Sequence, residues 1–158
     1  MVRAFITGFR FRPSLNSLSR LTQPDGSRVD SAAIGQWGED LAAQWLRRNG
    51  RKVLYRNYRA PGGGEVDIVC RHGAMLTFVE VKTRTFEGRE RAAMAVNAAK
   101  EKLILKGAQA WLRMLDETKE IPRRVDIVEV LLREGELPKV TVIEGALKMR
   151  ERGRELDW

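Results

Sequence analysis

Residues 62 to 84, GGGEVDIVCRHGAMLTFVEVKTR, constrain the fold of this chain more than any other stretch. Three glycines break what precedes them, two runs rich in Val, Ile and Phe follow, and RHGA between the runs reads as a turn. The pattern is that of a β-hairpin whose strands look built for a core. Yet Glu65, Asp67, Glu80 and Lys82 are set into those strands. With an even loop, either His72-Gly73 or Arg71 to Ala74, Asp67 is expected to face Phe78 and Glu65 to face Glu80. Partners across two strands share a face, as do residues two apart on one strand. All four charges then project to one side, with Asp67 and Glu80 as diagonal neighbours about 7 Å apart. An odd loop would separate them.

Two carboxylates held that close repel, and burying them costs several kcal/mol unless something positive lies between them. A hard divalent cation bound through carboxylate oxygens supplies that charge. Lys82, on the same face, is placed to stabilise an anionic transition state or to orient an attacking water. The bland reading is a structural Asp–Lys or Glu–Lys pair at a sheet edge. Four charges on one face, in strands with so much Val, Ile and Phe, favour the metal site.

The rest of the chain supplies a sheet for this hairpin to join. From Asp30 or Ser31 as N-cap, Ile34, Trp37, Leu41 and Trp45 mark one stripe of a helix that stops at Asn49-Gly50. KVLYRNYR alternates as a strand before the glycines. After a polar loop through Gly88, a second helix is expected from about Arg91 to Leu115, carrying Val96, Ala99, Leu103, Trp111 and Leu115. RRVDIVEVLL and KVTVIE are two further strands, joined by a turn at Glu134 to Pro138. The order α-β-β-β-α-β-β predicts an α/β domain, a mixed sheet flanked by helices. VDIV occurs at 66 to 69 and again at 125 to 128, as coincidence between two buried strands and not as a repeat. Only the first copy has a Glu-x-Lys downstream: thirteen residues after Asp67 comes Glu80, and thirteen after Asp126 comes Lys139.

The chain of 158 residues is one domain's worth, and its formal charge of +8 is spread along the whole length. Nucleic acid is the leading partner class for such a surface. One cysteine, Cys70, and one histidine, His72, exclude an internal disulfide and a zinc site of the usual four-ligand kind. No apolar run approaches the roughly 18 residues of a membrane span, so no membrane partner is expected and a cytoplasmic location is. Residues 1 to 30 hold five arginines, several serines and no acid before Asp25, and read as a flexible basic extension. The domain is expected over 31 to 145, with a charged tail over 146 to 158.

Asp67 followed by Glu80-Val81-Lys82 resembles the motif of the PD-(D/E)XK nuclease superfamily. More specifically, IGQWGEDLAAQWLRRNG, RNYR, GGEVDIVCRHGAMLTFVEVKTR and RRVDIVEV are similar to the YraN family of bacterial nuclease-like proteins, over residues 31 to about 130. Restriction-endonuclease-like architecture and metal-dependent phosphodiester hydrolysis are what the resemblance implies, with Mg2+ or Mn2+ as cofactor. It places metal-ligand roles on Asp67 and Glu80 and the catalytic ammonium on Lys82. Archaeal Holliday-junction resolvases of the same superfamily also use a glutamate of the first helix, a place taken here by Glu39. Glu39 borders the apolar stripe beside Ala42 and Leu46, from which it can reach over the sheet or stay a solvated charge. Glu65 matches the family's acidic position before the aspartate, as an additional ligand or a group behind the ligands. Val66 stands where the superfamily has proline.

The resemblance also lays the long helix beside the site, so Lys100, Lys102 and Lys106, with Arg84 at the end of the hairpin, are candidate contacts to nucleic-acid phosphates. A solvated helical face is the alternative for the lysines. DNA, branched forms included, is favoured over RNA, and a homodimer is left open. Gly62-Gly63-Gly64 lacks the Gly-Lys-Ser/Thr of a phosphate loop and is read as a simple loop. Two other functions are kept beside the endonuclease: a non-catalytic nucleic-acid-binding accessory in recombination, repair or RNA processing, and a basic protein-assembly factor.

Overall fold

A computed structural model describes residues 12–85, 96–115 and 121–149. Five strands form one sheet in chain order: β1 (Lys52–Arg59), β2 (Glu65–His72), β3 (Met75–Thr85), β4 (Arg123–Leu132) and β5 (Lys139–Leu147). All neighbours are antiparallel except β3 and β4, which are parallel. That pair brackets the second helix, because parallel strands need a long crossover. Helix α1 (Ser31–Arg48) covers one face of the sheet and α2 (Ala98–Met114) the other. The protein is a single α/β domain with a mixed sheet.

Asp30 caps α1, its carboxylate accepting from the N–H groups of Ala32 and Ala33. Leu41, Ala42, Ala43 and Leu46 then pack on Ile68, Cys70, Val79, Val81, Val128 and Val130. On the other face Ile104 and Ala108 of α2 meet Tyr58, Val66, Val69, Phe78 and Val125. Helix α2 starts later than Arg91: Asn97 caps it, accepting from Lys100 N at 2.9 Å. Residues 91–95 of the expected helix lie outside the described residues, as does the expected tail from residue 150.

The hairpin differs from expectation in register. Its loop is Gly73-Ala74, with His72 opposite Met75, and Gly73 takes φ +58°, the left-handed conformation a tight two-residue turn asks of its first residue. The loop is even, so the shared face survives, but the pairing moves by two. Continued one step past Ile68 and Val79, this register sets Asp67 level with Glu80 and not with Phe78.

A second irregularity sits in β1. Asn57 has φ 54°, left-handed at a non-glycine residue inside a strand. Arg56 pairs with Ile68 and Tyr58 with Val66, while Asn57 and Asp67 between them form no ladder pair. Alternation slips there on both strands. Tyr55 and Tyr58, three apart, both pack on Trp111 of α2, and Val66 and Val69, three apart, lie in one cluster. A regular strand would send such pairs to opposite faces.

Residues 12–30 do not hang free as a flexible extension would. Leu15 and Leu21 pack against the α1 cluster, Gln44 Nε2 donates to Pro13 O at 2.9 Å, and Ser19 exchanges backbone hydrogen bonds with Gly135 and Glu136. Burial of two leucines and the closure of those backbone groups offset the entropy of ordering the strap. Residues 1–11 lie outside the described residues.

Candidate functional site

The sheet opens a fork. Pairing of β2 with β3 ends at Ile68 and Val79, whereas β3 stays with β4 to Thr85 and β2 stays with β1 to Glu65. One hydrogen bond crosses the opening, from Val81 N to Asp67 Oδ2 at 2.8 Å. The space beyond is a cleft of about 270 Å³, walled by Glu39, Asn57, Glu65, Asp67, Glu80 and Lys100 among others. Strand separation brings these polar groups into one place, and the Val81 N–H freed by it is taken up by Asp67.

Glu80 lies deepest, with 3% of its side chain exposed. Its Oε1 is 3.0 Å from Lys82 Nζ and 3.4 Å from Lys100 Nζ. Its Oε2 is buried and has no hydrogen-bond partner among the described residues. Burial first, and the charge of Asp67 second, push its carboxyl up to about 7 against the pull of the two lysines. Glu39 reaches the cleft because Gly38 lets α1 press on β3, where a Cβ would come within 1.7 Å of Thr83 Oγ1. Burial and Asp67 raise the Glu39 carboxyl, and a hydrogen bond from Asn57 works against the rise. Glu65 is held from both sides, by Arg59 Nη1 at 2.6 Å and by Lys100 Nζ. The Lys100 hydrogen bond is the main cause that lowers its carboxyl.

The structure brings Asp67, Glu80, Glu65 and Lys82 together as expected, although by the slip at Asp67 and the fork of β2 from β3 rather than by unbroken alternation, and Glu39 joins from α1. Lys82 touches Glu80 from outside the cleft lining, and the ammonium inside it belongs to Lys100. Lys100, expected among the candidate phosphate contacts, is paired here with Glu65 and Glu80 rather than lying on a solvated helical face. A glycine contact explains it: a Cβ on Gly64 would meet Gly107 N at 2.2 Å, so α2 lies backbone to backbone on the start of β2. Gly64 is therefore a packing residue. Lys106 extends over Gly62 and Gly63, Lys102 is exposed, and Arg84 pairs with Glu129 at 3.1 Å. Asn57 was not singled out from sequence; its signal was an asparagine with poor strand preference in mid-strand, between Tyr55 and Tyr58.

Among the described residues no three carboxyl, thiol or imidazole groups already converge as an ion cage. Magnesium asks for less, being held by one or two carboxylates with waters and substrate oxygens completing six. Asp67 and Glu80, with the orphaned Oε2 and a surplus of negative charge, fit that requirement.

Fold and cleft define a small α/β protein with a carboxylate and lysine cluster at a strand fork. The family model described as "Uncharacterised protein family UPF0102" matches residues 38–130, which include α1 from Gly38, the hairpin and most of β4. The chain belongs to the UPF0102 family, in agreement with the YraN resemblance. It is 47% identical over 116 residues to a UPF0102 protein of Syntrophotalea carbinolica, covering 72% of this chain and 90% of that one. It is 40% identical over 119 residues to UPF0102 protein GSU0650 of Geobacter sulfurreducens, covering 73% and 89%. A UPF0102 protein of Geobacter metallireducens is 38% identical over 124 residues, covering 77% and 97%.

Proposed function

We propose that the protein is a metal-dependent endonuclease of the PD-(D/E)XK type that hydrolyses phosphodiester bonds, with DNA, branched forms included, preferred over RNA. The observation that carries this reading is the buried Glu80 carboxylate beside Asp67, with one oxygen on Lys82 and the other without a partner. Lys82 and Lys100 compensate Oε1 alone, and a buried carboxylate oxygen left without a partner is costly, so stability by itself does not account for the group. The formal charge of +8 suits a polyanion.

Asp67 and Glu80 would hold Mg2+ or Mn2+, which when bound neutralises charge on the scissile phosphate and acidifies a water. Glu39 faces Asp67 across the cleft, where it can orient a water or share the ligand set. Lys82, fixed on Glu80 Oε1, presents an ammonium to the charge that develops as water oxygen bonds to phosphorus and the ester oxygen departs with a proton. Lys102 and Lys106 on the outer part of α2 suit backbone phosphates. No helix among the described residues is long and apolar enough to cross a membrane.

The test is a panel of duplex, branched and single-stranded DNA and of RNA, incubated with Mg2+ or Mn2+ beside a Lys82→Ala control. Cleavage by the wild type and a loss of about 100-fold or more in folded Lys82→Ala is the expected result. Cleavage at equal rates would remove Lys82 from the chemistry. A wild type inert on every substrate, yet retaining salt-sensitive nucleic-acid binding, would replace the nuclease with the non-catalytic binder.

A further inference from the structure

Among the described residues, Lys100 is the one cleft-lining cation in contact with two carboxylates. Its ammonium bridges Glu65 Oε1 and Glu80 Oε1, elements that no ladder pair joins at this point. We propose that Lys100 is a built-in counter-ion that occupies the cation position of the metal-free cleft and is displaced from Glu80 when the divalent ion binds. This inference rests on the metal-site reading above.

Charge balance argues for displacement. With every carboxyl ionised, as metal binding requires, four carboxylates, Glu39, Glu65, Asp67 and Glu80, meet two ammoniums, Lys82 and Lys100, and the guanidinium of Arg59. That is one negative charge in excess. A divalent ion turns the balance to one positive in excess, and release of one ammonium restores neutrality. Two ammoniums already share Glu80 Oε1, an arrangement that a third cation makes unfavourable.

Geometry selects Lys100 as the group that leaves. Lys82 is two residues from Glu80 on the same strand and stands outside the cleft lining, so an ion can enter without moving it. Lys100 stands inside, and 24% of its side chain is exposed, which gives its flexible stem a path to solvent. Its backbone need not move: Asn97 caps the turn that carries it, and the Gly64–Gly107 contact fixes the helix. Glu65 remains anchored by Arg59 after Lys100 departs. The released ammonium stays at the cleft mouth, where a phosphate of the substrate would replace Glu80 as its partner.

The test is a calorimetric titration of full-length protein with Mn2+ at constant ionic strength, for wild type, Lys100→Met and Lys102→Met. Lys102 is exposed two residues away on the same helix, so Lys102→Met measures what loss of any nearby positive charge does to cation affinity. Displacement predicts that Lys100→Met binds Mn2+ about tenfold or more tightly than Lys102→Met, and that its metal-free melting temperature is lowered and recovered by Mn2+. Equal affinities of the two variants would overturn the inference while the metal site stands. Weaker binding by Lys100→Met would overturn it in the other direction, making Lys100 an organiser of the ligands. Uptake by Lys100→Met but not by wild type supports the counter-ion in its strongest form. No uptake by either ends the inference and the metal reading together. Lys100→Gln, which keeps a hydrogen bond to Glu65 without the charge, decides the matter by the same titration should Lys100→Met fail to fold.

Discussion

The tetrapeptide VDIV places an aspartate in two buried strands of this protein, and the two aspartates have opposite surroundings. Asp126 is fully buried, accepts from Arg51 Nη1 at 2.8 Å and from Gly145 N at 2.9 Å, and has Arg124 Nε at 2.9 Å as an ion pair. Glu144 ties the two arginines from the far side, at 2.9 and 2.7 Å. Asp67 instead accepts one backbone N–H and looks across a cleft at Glu39 and Glu80. One site has its charge matched by arginines, Arg51 from ahead of β1 and Arg124 from its own strand, and the other gathers like charges. A matched buried carboxylate is a structural device, whereas gathered carboxylates store repulsion that a proton or a further cation relieves.

The largest effect expected from this contrast is on stability. Arg51→Ala should cost about 3–5 kcal/mol, because it leaves Asp126 buried and short of its partner. Metal-free Asp67→Asn should cost little or be stabilising, since it removes repulsion from Glu39 and Glu80. Urea denaturation of both variants checks the pair, and equal losses would break the comparison.

Next in size is the pH response of the metal-free protein. The Glu80 carboxyl is raised from 4.5 to about 7. A carboxyl raised on folding adds stability that is full below its unfolded pKa and is lost as pH rises through its folded one. Metal-free wild type should therefore lose up to a few kcal/mol between about pH 4.5 and 7, and Glu80→Gln less. Divalent ions should reverse the loss, most strongly above pH 7, where no proton competes for Glu80. Denaturation curves at a series of pH values would refute this if the two proteins ran parallel.

Gly38→Ala asks whether the fork depends on helix approach. The added methyl would overlap Thr83, for a cost of about 1–3 kcal/mol, and would lift Glu39 from the cleft. Melting and Mn2+ affinity should fall together, while the Asp126 network stays intact by the Arg51 criterion.

The smallest expected effect separates conformation from chemistry at Asn57. Asn57→Gly keeps the left-handed backbone and should change stability by well under 1 kcal/mol, while Asn57→Ala should cost about 1 kcal/mol. Both lose the amide facing Glu39. A nuclease or Mn2+-binding defect shared by both variants would assign the amide a role that the backbone alone does not explain.

Much of this was legible before folding. Period-two alternation with an even turn is enough to predict Glu65, Asp67, Glu80 and Lys82 on one side, but not the slip at Asp67 that the folded sheet adds. Turn position was not legible, because Gly73 fits several two-residue placements and only packing of the finished sheet selects one. Arg51 gave no sign of clasping Asp126, as that contact joins residues 75 apart in the chain, whereas Arg124 lies two residues from Asp126 on the same strand.

Local chemistry determined the seven elements, their order and the cap at Asp30, because helix and strand patterns and capping act over a few residues, while the start of α2 at its Asn97 cap, and not near Arg91, came only with the structure. Tertiary structure decided the rest of the site. Glu39 arrives through the bare backbone of Gly38, Lys100 through the Gly64–Gly107 contact, and the cleft through the slip at Asn57 and the parting of β2 from β3. Those contacts lie between elements distant in sequence, and their distances are set by how closely two backbones approach, a quantity no local pattern carries.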